Sequence, residues 1–329
     1  MMRATKEMLQ TAVMGIGLPV VLLIIAAIIY LPINRPVETP PTTSMVESVH
    51  TEPSAIPSSD IEISVLVDGE ITILDLEEYV AGVVLSEMPA SFEMEALKAQ
   101  AVAARTYAMK TCKDGKKHAG AVCDSHSCCQ GYMTAEEYLQ RGWHEKYVKR
   151  VQQAVAETAG QVLTYEGELI RATYFSCAGG YTEAALAVWG REYPYLQAVV
   201  SPGEEETVYY SDYKSFIMED FQELLGVTLT GEPTTWFGDM TYTTGGGVDS
   251  IEIGGVVYRG TTLRSLLGLR STVFQVVVRA DSITFYTRGY GHRVGMSQYG
   301  ADAMATQGSS YDEILTHYYQ NTQIENLHK

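Results

Sequence analysis

The chain has 329 residues, 40 acidic and 23 basic, with a formal net charge of −17. That balance excludes the basic footprint of a nucleic-acid-binding protein. Hydrophobic residues at 46% support a packed core, and five clustered cysteines are too few for a small disulfide scaffold.

The first element is apolar. Residues 1–10 form a short tail with Arg3 and Lys6, no charge occurs from Thr11 to Ile33, and Val20 to Leu31 is almost wholly aliphatic. About 20 such residues in a helix cross a hydrocarbon layer of about 30 Å. The run is longer than a signal-peptide core, and Tyr30 to Asn34 holds no small-x-small cleavage site. Residues 11–33 are therefore expected to be a single uncleaved transmembrane anchor. The Arg3/Lys6 bias sets its N-terminus in the cytoplasm and the bulk of the chain outside. Residues 34–59, with Pro36, Pro40, Pro41, Pro53 and Pro57 among Ser and Thr, read as a linker.

The globular part starts near Asp60. Ile61, Ile63, Val65 and Val67 alternate with other residues, and Asp68-Gly69 turns the chain into Ile71 to Leu74, a hairpin pattern. Asp75 then caps a helix with the stripe Leu76, Tyr79, Val80, Val83 and Val84, and Pro89 ends it near Glu87. An Ala-rich helix is expected over 93–110 and a third over 135–159. Strands follow at Gln161 to Tyr165 and Leu169 to Ser176. Residues 208–275 read as an inserted subdomain: a helix over Phe216 to Leu225, a hairpin about Gly245 to Gly247, and a short helix over Thr261 to Leu267. Strands at Phe274 to Val278 and Ser282 to Tyr286 are expected to return to the main core. That core then comprises 60–207 and 276–329, with tail helices near 297–306 and 311–319. Irregular alternation of strands and helices predicts an α+β fold.

Three constellations carry chemistry. Glu87 in Ser86-Glu87-Met88-Pro89 ends a helix among Val83, Val84, Leu85 and Met88. The dipole end and apolar surroundings both disfavour the carboxylate, as a general acid needs. His118, Cys123, His126, Cys128 and Cys129 supply five potential ligands in twelve residues. Thiolate and imidazole suit tetrahedral zinc, with a disulfide or free thiols as alternatives. The run Gly289 to Ala301, with His292, Ser297 and Gln298, describes a tight loop entering a helix that Ser297 caps. A weaker group, Tyr174 to Gly180 with Trp189, reads equally as a sugar cleft or as core.

Together, Ser86 to Pro89 with Ala99 to Tyr107, the Cys123/Cys129-Gln130 loop, Gly179-Gly180 to Trp189-Gly190, Ser201 to Glu204 and Gly289 to Ala301 resemble the stage II sporulation protein D family, which includes amidase enhancers. The resemblance implies a membrane-anchored peptidoglycan lytic transglycosylase acting in engulfment during sporulation. It would cleave the MurNAc-β-1,4-GlcNAc bond to a 1,6-anhydro product, with Glu87 as the acid. It further implies work on peptide-stripped glycan strands beside the amidase stage II sporulation protein P and the membrane protein M. Tyr174, Ser176, His292, Ser297 and Gln298 are the candidates for holding substrate. Cys128 stands where family members often carry His, so the implied zinc ligands are His118, Cys123, Cys128 and Cys129, with His126 as substitute. Arg293 stands where the family's last box often has Gly. A non-catalytic activator of a cell-wall amidase is the alternative. A metallohydrolase lacks support, because no His-Glu-x-x-His helix is present.

Overall fold

A computed structural model describes residues 59–67 and 69–327. The anchor expected over 11–33, and the linker up to residue 58, lie outside the described residues. Among the described residues, no helix is long and apolar enough to cross a membrane. The fold is mixed α+β with several antiparallel sheets.

The expected hairpin forms from β1 (Glu62–Val67) and β2 (Glu70–Asp75), paired antiparallel from Glu62↔Asp75 to Val67↔Glu70. The last residue of β2, Asp75, is also the N-cap of α1 (Leu76–Glu87), and its carboxylate accepts from the Glu77 and Glu78 N–H groups. These bonds satisfy donors that a helix start leaves unpaired. Leu76, Tyr79, Val80, Val83 and Val84 are fully buried. Glu77 is buried too, and Arg105 of α2 (Met94–Asp114) holds it, Nε donating at 2.8 Å. Without the guanidinium that carboxylate would be an uncompensated buried charge.

Helix α2 is central because it is small. Ala96, Ala99, Ala101, Ala103, Ala104 and Ala108 have no exposed surface, so neighbours approach its backbone closely. Around it pack α1, α4 (Glu145–Glu157), β4 (Gln161–Tyr165), α8 (Gln298–Thr306) and α9 (Tyr311–Tyr318). The helix expected over 135–159 is two helices, α3 (Ala135–Gln140) and α4, broken at Gly142 with φ 82°.

A second apolar cluster gathers Phe216, Phe221, Trp236, Ile251, Ile253, Leu263, Phe274 and Phe285. The expected helix over 216–225 is α6 (Met218–Leu225), and strand β7 (Ser211–Ile217) precedes it. Strands β8 (Phe237–Tyr242), β9 (Val248–Ile253) and β10 (Val256–Arg259) make one sheet, backed by α7 (Gly260–Leu267). Strands β11 (Val273–Val278) and β12 (Ser282–Arg288) do not join the main core as expected. They pair with β7 in the order β11-β12-β7 and bury Phe274, Ile283 and Phe285 in the second cluster. The reason is that β7 supplies a seven-residue antiparallel edge, Ser282↔Ile217 to Arg288↔Ser211.

Short β5 (Glu168–Leu169) extends the sheet of β4, α5 (Ala185–Trp189) precedes β7 in the chain, and two short parallel pairings position the site. β3 (Val122–Cys123) lies beside β1, Leu66↔Cys123. β6 (Tyr174–Phe175) lies beside β13 (Met296–Ser297), Tyr174↔Met296.

Candidate active-site cleft and metal cluster

Glu87, the last residue of α1, opens into a cleft of about 480 Å³. Tyr107, Lys117, His126, Cys128, Cys129, Arg171, Tyr174, Trp189, Arg191, Tyr193 and His292 also line it. The Glu87 carboxyl is half-buried, and burial raises its pKa. Two influences oppose that rise: the Gly131 N–H, which donates to Oε1, and the charge of His126. Gly131 permits this approach because it has no side chain. A Cβ there would lie 2.6 Å from Ser86 Oγ and 3.0 Å from Glu87 Oε1.

Tyr174 lines the same cleft. Its hydroxyl donates to Gln130 Oε1 at 2.8 Å, and Gln130 Nε2 donates to the Tyr79 hydroxyl at 3.1 Å. The residue before Gly131 is thereby tied to the core of α1. His292 faces Glu87's cleft between Phe175 and Trp189, with ring centroids at 5.6 and 5.4 Å. Its Nδ1 accepts from the Val294 N–H at 3.1 Å. Burial, aided by Arg264, pushes the imidazole down to about 4. His292 is therefore neutral at physiological pH and offers a dipole, not a charge.

The other sugar-binding candidates go elsewhere. Ser297 is fully buried; it caps α8 through the Gly300 N–H at 3.2 Å and donates to Glu204. Gln298 is buried against Gln100 of α2. Ser176 gives its carbonyl to Ser297 and to the Tyr299 N–H. None of the three lines the cleft. Ser297, expected to touch a ligand, instead joins a buried knot around Glu204, Ser176 meets it through its backbone carbonyl, and Gln298 turns to Gln100. The Glu204 carboxylate accepts from the Ala178, Gly179 and Gly180 N–H groups at 2.9 to 3.3 Å and from Ser201 Oγ at 3.1 Å. The knot explains the Ser201-to-Glu204 and Gly179-Gly180 motifs. Arg293 lies at φ 64°, in the left-handed region that favours glycine. Its buried guanidinium offsets the strain by binding the carbonyls of Ala178, Tyr181 and Gly245 and pairing with Glu183 at 3.1 Å.

His118, Cys123, Cys128 and Cys129 come together: one ligand atom from each lies within 4.8 Å of all the others. His126 is outside this group and faces the cleft near Glu87. His118 and Ala119 take left-handed φ values of 46° and 55°, a strained turn that brings the ring to 3.4 Å from Cys128 Sγ. All five cysteines are free thiols. Burial, with Cys123 alongside, pushes the Cys129 thiol up to about 12. A thiolate there needs a cation, and a bound metal deprotonates such thiols outright. Three sulfurs and one imidazole make a closed donor set of the tetrahedral zinc type.

Sequence reasoning missed the backbone donor Gly131 and the cleft's cations, Lys117, Arg171 and Arg191. The spacing of Trp189, Arg191 and Tyr193 was the available signal for the last.

Glu87 thus sits in a ring-lined cleft, hydrogen-bonded to Gly131 two residues beyond Cys129 of the metal-type cluster. Comparison with known proteins is specific. Residues 68–165 match the family model described as stage II sporulation protein, SpoIID. The chain is 40% identical over 295 residues to stage II sporulation protein D of Bacillus subtilis (strain 168), covering 88% of this chain and 84% of that one. It is 38% identical over 325 residues to its counterpart in Bacillus amyloliquefaciens, covering 94% and 93%. An amidase enhancer of Bacillus subtilis (strain 168) is 31% identical over 303 residues, covering 74% of this chain and 40% of the enhancer. The chain belongs to the stage II sporulation protein D family.

Proposed function

We propose that the chain is a lytic transglycosylase of peptidoglycan glycan strands, acting in engulfment. One observation carries the reading: among the described residues, Glu87 is the sole carboxylate lining the cleft. Most glycosidases need two, one to protonate the leaving oxygen and one to assist the nucleophile. One suffices when the nucleophile belongs to the substrate. Protonated Glu87 gives its proton to the oxygen leaving C1 of N-acetylmuramic acid. The same carboxylate takes the proton of that sugar's C6 hydroxyl as the oxygen attacks C1, yielding the 1,6-anhydro end and restoring the acid. Neutral His292 and Tyr174 orient the sugar, and Trp189 and Tyr193 give it ring faces. An intramolecular nucleophile brings its own proximity advantage.

The Cys/His cluster would hold one structural zinc through His118, Cys123, Cys128 and Cys129. Bound zinc would fix the loop whose Gly131 donates to Glu87. The apolar run 11–33 supports an anchor that leaves this domain outside the membrane. Stage II sporulation proteins P and M are the proposed partners, the first as the amidase that strips stem peptides. The amidase-enhancer relative favours a second reading, in which the cleft binds glycan only to activate an amidase.

Mass spectrometry of products from peptide-free glycan strands tests the choice. Anhydro ends are expected, and Glu87→Gln should reduce them by about 10²-fold or more. A folded Glu87→Gln protein with wild-type cleavage, or reducing ends in place of anhydro ends, would sink the reading. Cleavage by neither protein, with amidase stimulation kept by both, would establish the second.

A further inference from the structure

The cleft has a charge pattern that acid catalysis does not use. Its lining sets Lys117, Arg171 and Arg191 against one carboxylate, in a chain of net charge −17. Two of these cations have partners. Arg171 pairs with Asp114 at 3.1 Å. Lys117 donates to the Cys128 carbonyl and lies 3.9 Å from that residue's sulfur. Arg191 differs. It is exposed, and its guanidinium lies 5.1 Å from the centroid of the Tyr193 ring. Among the described residues, no carboxylate lies within ion-pair distance of it. Nor do the cations tune the acid: burial, Gly131 and His126 are what move Glu87.

Trp189 and Tyr193, two residues to either side of Arg191, line the same cleft. Rings stack against a sugar face, and a guanidinium fork donates two parallel hydrogen bonds to a carboxylate. We propose that Arg191, backed by Arg171, forms a carboxylate subsite that reads the lactyl group of muramic acid in the glycan strand. The inference rests on the glycan reading above and adds the group recognised. N-acetylglucosamine lacks the lactyl ether. A stem peptide turns its carboxylate into a neutral amide. The subsite therefore separates both from free muramic acid by charge.

Calorimetric titration of the full-length Glu87→Gln protein avoids turnover. Three oligosaccharides of equal length serve as probes: one with free lactyl carboxylates, one with the same groups amidated, and one of N-acetylglucosamine alone. The free carboxylate should bind about tenfold tighter than the others, as one charge-assisted contact provides. Adding Arg191→Gln should bring that ligand to the level of the other two and flatten its salt dependence, with the melting temperature unchanged because the residue is exposed. Adding Arg191→Lys instead should recover only part of the preference. Equal binding of all three to the Glu87→Gln protein, or equal weakening of all three by Arg191→Gln, overturns the subsite. Binding of none overturns the glycan reading itself.

Discussion

Gly131→Ala tests whether the Cys/His loop holds the acid. The added Cβ would lie 2.6 Å from Ser86 Oγ and 3.0 Å from Glu87 Oε1. Either the loop retreats or the carboxyl turns, and both break the Gly131 N–H bond to Oε1. Overpacking of this kind costs about 1–3 kcal/mol, and a reacting group misplaced by about 1 Å costs about 10²-fold in rate. The pH profile gives a sharper readout. The Gly131 bond favours the ionised carboxyl and works against burial, which raises its pKa. Without the bond the pKa rises further, the protonated acid persists to higher pH, and the alkaline limb of the rate profile moves up. Release of anhydro ends across pH measures both effects, with thermal melting as the check on folding. Ser86→Ala in the same chain removes the nearest obstacle and should restore part of the rate. A folded Gly131→Ala protein with an unchanged rate and an unchanged alkaline limb would refute the reasoning.

Three further outcomes follow from other contacts. Protein purified without chelator should carry about one zinc per chain, and chelation should lower its melting temperature because ligands from one loop are not preassembled in the unfolded chain; a mapped Cys123–Cys129 disulfide contradicts this. The His292 ring, pushed down to about 4, stays neutral while an unfolded histidine titrates near about 6.5, so stability should fall as pH drops from about 6.5 toward about 4. A proton resonance of His292 that titrates above about pH 6 contradicts it. Arg293→Met should cost about 3–5 kcal/mol in urea unfolding, because Glu183 would remain buried without its cation; a loss below about 1 kcal/mol would mean that the pair is not structural.

Local signals were readable and distant pairings were not. Asp75 and Pro89 bound α1 because capping and the missing proline N–H act within a turn. Gly142 carried the signal for the break between α3 and α4, but a long apolar pattern over 135–159 masked it. The partner of β12 could not be read, since Ser211–Ile217 has Phe216 as its one buried residue and shows no clean alternation. Glu87 was legible because its apolar neighbours are adjacent in sequence. Its hydrogen bond to Gly131 was not, because a backbone N–H leaves no side-chain signature across 44 residues. Ser297 and Gln298 misled for the opposite reason: polar side chains beside a glycine-rich loop look like ligand contacts until a buried partner such as Glu204 is known.

The charge of the chain and that of its cleft point in opposite directions, and distance decides which a ligand feels. A net charge of −17 repels an anionic polymer at long range. At physiological salt that repulsion is screened within about 8 Å. Closer in, the cleft offers Lys117, Arg171 and Arg191 beside a carboxyl that burial inclines to keep its proton. Protonation of Glu87 thus does two things at once. Under the proposed reaction it supplies the proton that the glycosidic oxygen needs, and it removes the one carboxylate charge that, among the described residues, lines the cleft. If the substrate strand is anionic, its binding should raise the pKa of Glu87 further, so that the loaded cleft is a better acid donor at neutral pH than the empty one.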